Sequence, residues 1–587
     1  MPRPELGTIA RLAQAASGQT SYRATLGFVA GRPQINVASN LVGLTIDLPA
    51  PLAKAAATPL LLRVRTGPED GAAVPPDSAA TFREALHVDL GGALQAHFVR
   101  EVSGDAARVV RGAIRVAEAR ASNDRAVEPT PLDPIEALPL PASGVAASVS
   151  LKRLDVEAWQ AALARIQGDG ARAGAGAATG AAAGAPPLVF DTAGGAGYVP
   201  DAIALRVGEL SVNSRRLTNV TAGLSQQGEL WRANVGADEL EGYLEYRPAR
   251  RGAAGVGAGR VFARLARMSL PKGEVERVET LLDAQPATIP ALDIVVDDFE
   301  LRGRRLGRLE IEATNRAASN RDGAREWQLA KLNLTMPEAQ LAATGTWGDA
   351  GAGAGAPRRA AMTFKLALGD SGALLERLGM GRVVRGGKGS LIGDVVWPGS
   401  PFSPDYAKMT GQMKVAIESG QFLKAGPGAA RLLSVLSLQS LPRRLSLDFR
   451  DLFAEGFAFD SVDGDVKIGQ GMAATNNLRM RGAAAVVLME GSADLERQTE
   501  DVRVVVIPEI NAGTASLAVA VINPAIGLGT FLAQYFLRKP LMAASTREFR
   551  VTGPWDDPKV ERVERSSIGE TAADSTPAAE PASAVPR

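Results

Sequence analysis

Along most of the chain, apolar and polar residues alternate with a period of two. SYRATLGFVAGRPQINVASNLVGLTIDL (21–48), PLLLRVRTG (59–67), ARVVRGAIRVAE (107–118), ALDIVVDDFELRG (291–303) and LGRLEIEATN (306–315) are examples. Successive side chains of a strand point to opposite faces. Runs of this kind, punctuated by Gly, Asn and Pro, therefore predict short antiparallel strands in a long meander. Helical periodicity is confined to a few segments, 154–167, 371–380, 427–445 and part of 515–542. The fold class read from this pattern is mainly β.

The alternation gives each strand an apolar and a polar side. Ile294, Val296 and Asp298 fall on one face, with Val295, Asp297 and Phe299 on the other. The split is cleaner in the next strand, where Leu309, Ile311 and Ala313 oppose Glu310 and Glu312. Ile294, Val296, Leu309 and Ile311 are thus the candidate lining of an apolar floor. Such a floor is ordinarily closed by a second sheet or by helices, yet the helices here are too few for so many strands. Either the sheet closes on itself as a barrel or sandwich, the ordinary solution on composition alone, or it curls into an open trough.

Two blocks repeat, 207–246 and 296–347. Each runs as a strand, an Arg-Arg-Leu turn, a strand, a polar loop, a strand opened by Trp231 or Trp327, and a strand containing glycine. A third block, 459–495, keeps the rhythm without the tryptophan. Repetition of one meander unit predicts a sheet extended in one dimension, each unit packing on the next.

Composition narrows the function. At 587 residues the chain exceeds one ordinary domain. Lys plus Arg (65) nearly balances Asp plus Glu (64), and aromatic residues are 5%, so neither a basic field nor a stacking surface for nucleic acid is indicated. With no cysteine there is no disulfide, thiolate metal site or cysteine nucleophile. His87 and His97 read as two residues of one strand pair rather than as metal ligands. GRVVRGGKGS (381–390) lacks the phosphate-loop spacing, DTAGGAGY (191–198) is not GxGxxG, and acidic pairs such as Asp297-Asp298 and Asp556-Asp557 read as solvated positions. Nothing in these patterns supports an enzyme, and no cofactor is expected.

The expected organisation is a β-groove segment at 1–167 ending in a short helix, an Ala/Gly insertion at 168–187, and repeated meanders at 188–425 with a second insertion at 348–359. A C-terminal region at 426–564 carries helices at 427–445 and 516–537, and a disordered tail follows at 565–587. MPRPELGTIARLAQ, at the start, has no basic segment followed by an apolar core.

The chain resembles the YhdP branch of the AsmA-like envelope proteins. The stretches that carry the resemblance are SNLVGLTIDLPAPLAK (39–54), SLKRLDVEAWQ (150–160), VFARLARMSLP (261–271), the dense block 432–471, VIPEI (506–510), INPAIGLGT (522–530) and FRVTGPWDDPKV (549–560). It implies an open, twisted repeating β-groove that conducts phospholipid acyl chains between the inner and outer membranes of the Gram-negative envelope, at its periplasmic face. It also implies that this chain corresponds to the C-terminal half of a longer protein that begins with an anchor helix. A structural or assembly factor for outer-membrane biogenesis is the second reading, with protein partners unspecified. A β-solenoid adhesin is disfavoured, because no calcium-binding nonapeptide repeat appears. An aliphatic floor without charged pockets implies little chemical selectivity.

The run 511–537 carries no charge until Arg538 and is long enough to cross a bilayer, but Asn523-Pro524 and Gly513, Gly527 and Gly529 interrupt it. It reads as a broken helical hairpin that meets a membrane surface without spanning it, with a buried core element as the alternative. The candidate membrane contacts are Val519, Ile522, Ile526, Leu528, Phe531, Leu532, Tyr535 and Phe536, with Arg538 and Lys539 toward anionic headgroups.

Overall fold

A computed structural model describes residues 15–29, 32–69, 82–103, 106–118, 138–167, 197–212, 215–248, 259–271, 289–317, 325–349, 358–380, 383–401, 404–423, 457–483, 485–508, 546–555 and 558–563. The expected helices at 427–445 and 516–537, the tail and most of both Ala/Gly insertions lie outside these residues. The fold is mainly β, and 25 strands belong to one mixed sheet that does not close. Its first strand, Arg23–Val29, is paired in register with Arg32–Ser39, and its last, Lys559–Arg562, with Arg547–Pro554. The chain divides into two compact units: 1–336 with 343–360 and 399–403, and 337–342 with 361–398 and 404–587.

In the first unit the meander is antiparallel within each repeat and parallel where repeats meet. Ala106–Ala117 pairs parallel with Gly144–Asp155, which pairs parallel with Ala202–Val212. Five antiparallel strands follow: Ala202–Val212, Arg215–Gln227, Leu230–Gly236, Leu240–Arg247 and Arg260–Leu270. The last of them pairs parallel with Ala291–Leu301, which opens the next repeat through Arg304–Ala317 and Arg325–Thr335. A two-residue hairpin cannot join parallel strands, so these joints are where longer connections enter the sheet. The repeat inferred from sequence matches this frame strand for strand. Its Arg-Arg-Leu motif is not the turn, however. Arg302 (φ 53°) and Gly303 (φ 78°) make the turn, as a two-residue hairpin with both residues left-handed, and Arg304-Arg305-Leu306 begins the next strand.

Two α-helices are present among the described residues. Val156–Gln167 starts two residues later than its periodicity suggests, because Leu154 and Asp155 complete a strand. Asp155 then caps it, its Oδ1 accepting from the Ala158 N–H at 2.8 Å. The helix buries Val156 and Ala162, and Trp159 Nε1 donates to the Ala50 carbonyl at 3.1 Å. Ser371–Arg377, in the second unit, is capped by Asp370 and tied to Glu338 through Arg377.

The second unit carries eight strands from Val384–Pro398 to Lys559–Arg562, each from Thr410–Phe422 onward antiparallel to the one before. On one face Phe459, Met480, Val487, Val506 and Phe549 form a buried core. Val486, Leu488, Val505 and Ile507, on the opposite face of the same strands, are at most 1% exposed. Burial on both faces explains why AVVLM and VVVI read as continuous apolar runs rather than alternating ones.

Candidate functional site

The first unit carries one apolar row through fifteen strands. Ala24 faces Val37, which faces Val64, then Val88 and Ala96. The row continues through Ile114, Ala147, Ile203, Leu224 and Ala233. It ends through Leu244, Ala263, Ile294, Ile311 and Leu332. Every member is Ala, Val, Ile or Leu. A parallel second row runs from Leu62 through Leu90, Leu94, Val116, Val149 and Leu205 and on to Val296, Leu309 and Leu334, with Gly242 its one gap in this span. Direct cross-strand neighbours lie about 5 Å apart, so each row is a continuous apolar contact line.

The four floor residues expected from sequence are brought together here, but only Ile294 and Ile311 keep part of their surface exposed; Val296 and Leu309, in the second row, are buried. Ile294 faces Ile311 and Val296 faces Leu309. The fifth neighbour differs: Phe299, not Asp298, continues the apolar face. The register slips between Val296 and Phe299, a bulge that carries one extra residue and turns Phe299 inward, where it is buried.

Accessibility separates an open face from a closed core. Of the fifteen residues in the first row only Ala147 and Ala263 are buried; the other thirteen, all branched aliphatics except Ala24, Ala96 and Ala233, keep part of their surface exposed. At the outer strand the face is barer still, with Leu26 62% and Phe28 70% exposed. A barrel or sandwich core would bury these side chains, as the second unit does with its own.

The opposite face of the first unit is polar and its charges neutralise one another. Arg63 bonds Asp89 at 2.5 Å, Arg264 reaches Asp293 at 2.8 Å, and Lys331 reaches Glu310 at 2.8 Å. Hydrogen bonds from Lys331, then Arg308, hold the Glu310 carboxyl below the usual carboxylate range, and Glu310 raises the Lys331 ammonium. His87 and His97 are direct cross-strand partners here, rings stacked at 4.0 Å. Among the described residues no His, Cys, Asp and Glu side chains cluster to hold a metal. A concavity of about 830 Å³ opens over the small residues Ala204, Gly223 and Gly236, rimmed by Asn234, Tyr243 and Arg264. Tyr243 donates to Glu245 at 2.5 Å, which raises the phenol, and Arg264 stacks on Phe262. Tyr243 and Arg264 are thus engaged with neighbours, so the concavity gathers little chemistry.

The apolar face carries a charged pair that the sequence reading missed. Glu84 and Arg100 face each other on the strands that carry Leu86, Val88, Ala96 and Phe98. The signal was available: both charges stand at apolar parity, in REALHVDL and LQAHFVRE. Gly112 makes room beside them, since a Cβ there would lie 2.4 Å from the Phe98 ring. The expected membrane contacts, Val519 to Lys539, lie outside the described residues. No described helix is long and apolar enough to cross a membrane.

An open sheet of repeated meanders with one accessible apolar face defines a repeating β-groove protein. A model of the YhdP protein family matches residues 4–560, and the chain belongs to that family. A segment of 180 residues is 34% identical to the intermembrane phospholipid transporter YhdP of Escherichia coli (strain K12); it covers 30% of this chain and 14% of that protein. No solved structure matches the chain.

Proposed function

We propose that this chain is a non-enzymatic conduit for phospholipids between membranes of the cell envelope. The observation that carries the proposal is the apolar row from Ala24 to Leu332, continuous through the repeat joints yet open to contact. Burying a methylene of a lipid chain is worth about 0.8 kcal/mol, so acyl chains would gain by lying along the exposed row. An unbroken row offers each step along it a similar environment, which favours movement over tight binding. The name of the Escherichia coli relative points the same way.

In this reading Ile294, Val296, Leu309 and Ile311 line the floor. The segment 516–539 delivers one end to a membrane surface through Ile526, Phe531 and Leu532, with Tyr535 at the interface and Arg538 and Lys539 toward headgroups. The working place is the periplasmic side of the envelope, between inner and outer membranes. The test is extraction of the purified chain followed by transfer of fluorescent phospholipid between donor and acceptor vesicles. Intact phospholipid should co-purify and transfer should rise with protein. Protein free of lipid and without effect on transfer would refute the conduit; lipid recovered hydrolysed would refute its non-enzymatic character.

A further inference from the structure

The Glu84–Arg100 pair stands at the margin of the apolar face. Arg100 Nη2 donates to Glu84 Oε2 at 2.5 Å and Nη1 to Tyr198 Oη at 3.2 Å. The Tyr198 ring stands edge-on to Phe98 with centroids 5.0 Å apart. The Arg100 and Glu84 side chains are 12% and 18% exposed, largely out of water but still reachable. Withdrawing two such charges from water costs several kcal/mol per ion, and well-packed apolar residues commonly serve stability as well or better. The neighbouring rows are built that way: Leu86 faces Phe98 and Val88 faces Ala96. A charge pair retained among them calls for a role other than stability.

We propose that Glu84, Arg100 and Tyr198 form a station for the zwitterionic headgroup of a phospholipid, a deepening that rests on the conduit reading. The guanidinium fork matches a phosphate, to which the Tyr198 hydroxyl adds a third donor. The Glu84 carboxylate accepts from the ammonium. The pair already has opposite charges side by side, as a zwitterion does, so the headgroup exchanges with the internal pair without stranding either ion. A headgroup with a phosphate and no ammonium would leave Glu84 facing a like charge. The geometry of the strand fits: Glu84 to Leu90 is six residues, about 20 Å of extended chain. Acyl chains fill half of a hydrocarbon layer of about 30 Å, so about 15 Å of chain can lie along Leu86, Val88 and Leu90 with the headgroup held at Glu84 and Arg100. Little selectivity follows from the aliphatic rows, and this station is where selectivity enters.

The test uses the full chain with a photo-crosslinking amino acid in place of Leu86. Labelled phosphatidylethanolamine, phosphatidylglycerol and diacylglycerol are offered in otherwise identical vesicles. The zwitterionic lipid should crosslink about tenfold better than the other two, the ratio expected of a charge-assisted hydrogen bond. Glu84→Gln and Arg100→Gln should each erase that preference, bringing the yield of the zwitterionic lipid down to that of the other two. Exchange of the two charges, Glu84→Arg with Arg100→Glu, should restore it and serves as the folded control. Equal yields for the three lipids in the unaltered pair would overturn the headgroup station and leave the conduit standing. No crosslink to any lipid would instead overturn the conduit reading on which the station rests.

Discussion

Ala263 and Ile294 face each other across a parallel pair of strands, at the joint between two repeats. A one-residue slip at such a joint would send every later apolar side chain to the other face. The register instead joins Leu244, Ala263, Ile294 and Ile311 in one line. Repeats that keep face as well as fold make a long apolar surface from short strands, and that continuity matters to the proposed function more than any single residue does.

Partial exposure of the row predicts a small stability cost for truncation. Ile311→Ala should lower stability by about 1.5 kcal/mol or less, the low end of the range for burying such a side chain. Ile507→Ala, at a position 0% exposed in the second unit, should cost about 2–5 kcal/mol. Urea unfolding of the two variants measures both. Equal losses would mean that the row at Ile311 is covered like a core.

On the polar face, the depressed carboxyl of Glu310 sets a pH dependence. A carboxyl lower in the folded than in the unfolded chain stabilises above the ordinary carboxylate value, and that stability is lost as pH falls through and below this range. Glu310→Gln should therefore be less stable than the parent at neutral pH by about 0.2–1 kcal/mol, the scale of a surface pair. The difference should vanish as the solution is acidified below about pH 4. A gap that persists in acid would assign the effect to packing rather than to the ion pairs with Lys331 and Arg308.

The Ala/Gly insertion offers few side chains to bury, and loop length costs free energy only slowly. Deletion of 171–185 should leave the thermal midpoint of the sheet almost unchanged. A fall of many degrees would show that this segment packs on it.

At the C-terminal end, Ile526→Asp with Phe531→Asp should abolish binding of the purified chain to anionic vesicles while the strands stay folded by circular dichroism. Unfolding of the strands would make the segment core. Binding that survives would move the membrane contact elsewhere.

Much of this was legible in the sequence. Period-two alternation located the strands because a half-covered sheet needs one wet and one apolar side, as Leu309, Ile311, Glu310 and Glu312 illustrate. Bulges were not legible: Asp298 and Phe299 exchanged faces because one extra residue entered the strand after Val296. Parallel joints were hidden as well, since Arg260–Leu270 and Ala291–Leu301 alternate like any antiparallel strands. Glu84 and Arg100 stood in view at apolar parity, but only the register set them opposite one another.

The central claim is tested most directly by a photo-crosslinking amino acid placed singly along the row at Val64, Ile114, Leu224 and Ile311. Arg115, Gly223 and Glu310, one residue away on the same strands, serve as polar-face controls. Expressed in a Gram-negative host and irradiated, the four row positions should each capture phospholipid, and the three controls should not. Capture at neither set, or equally at both, would contradict an open apolar face that carries lipid.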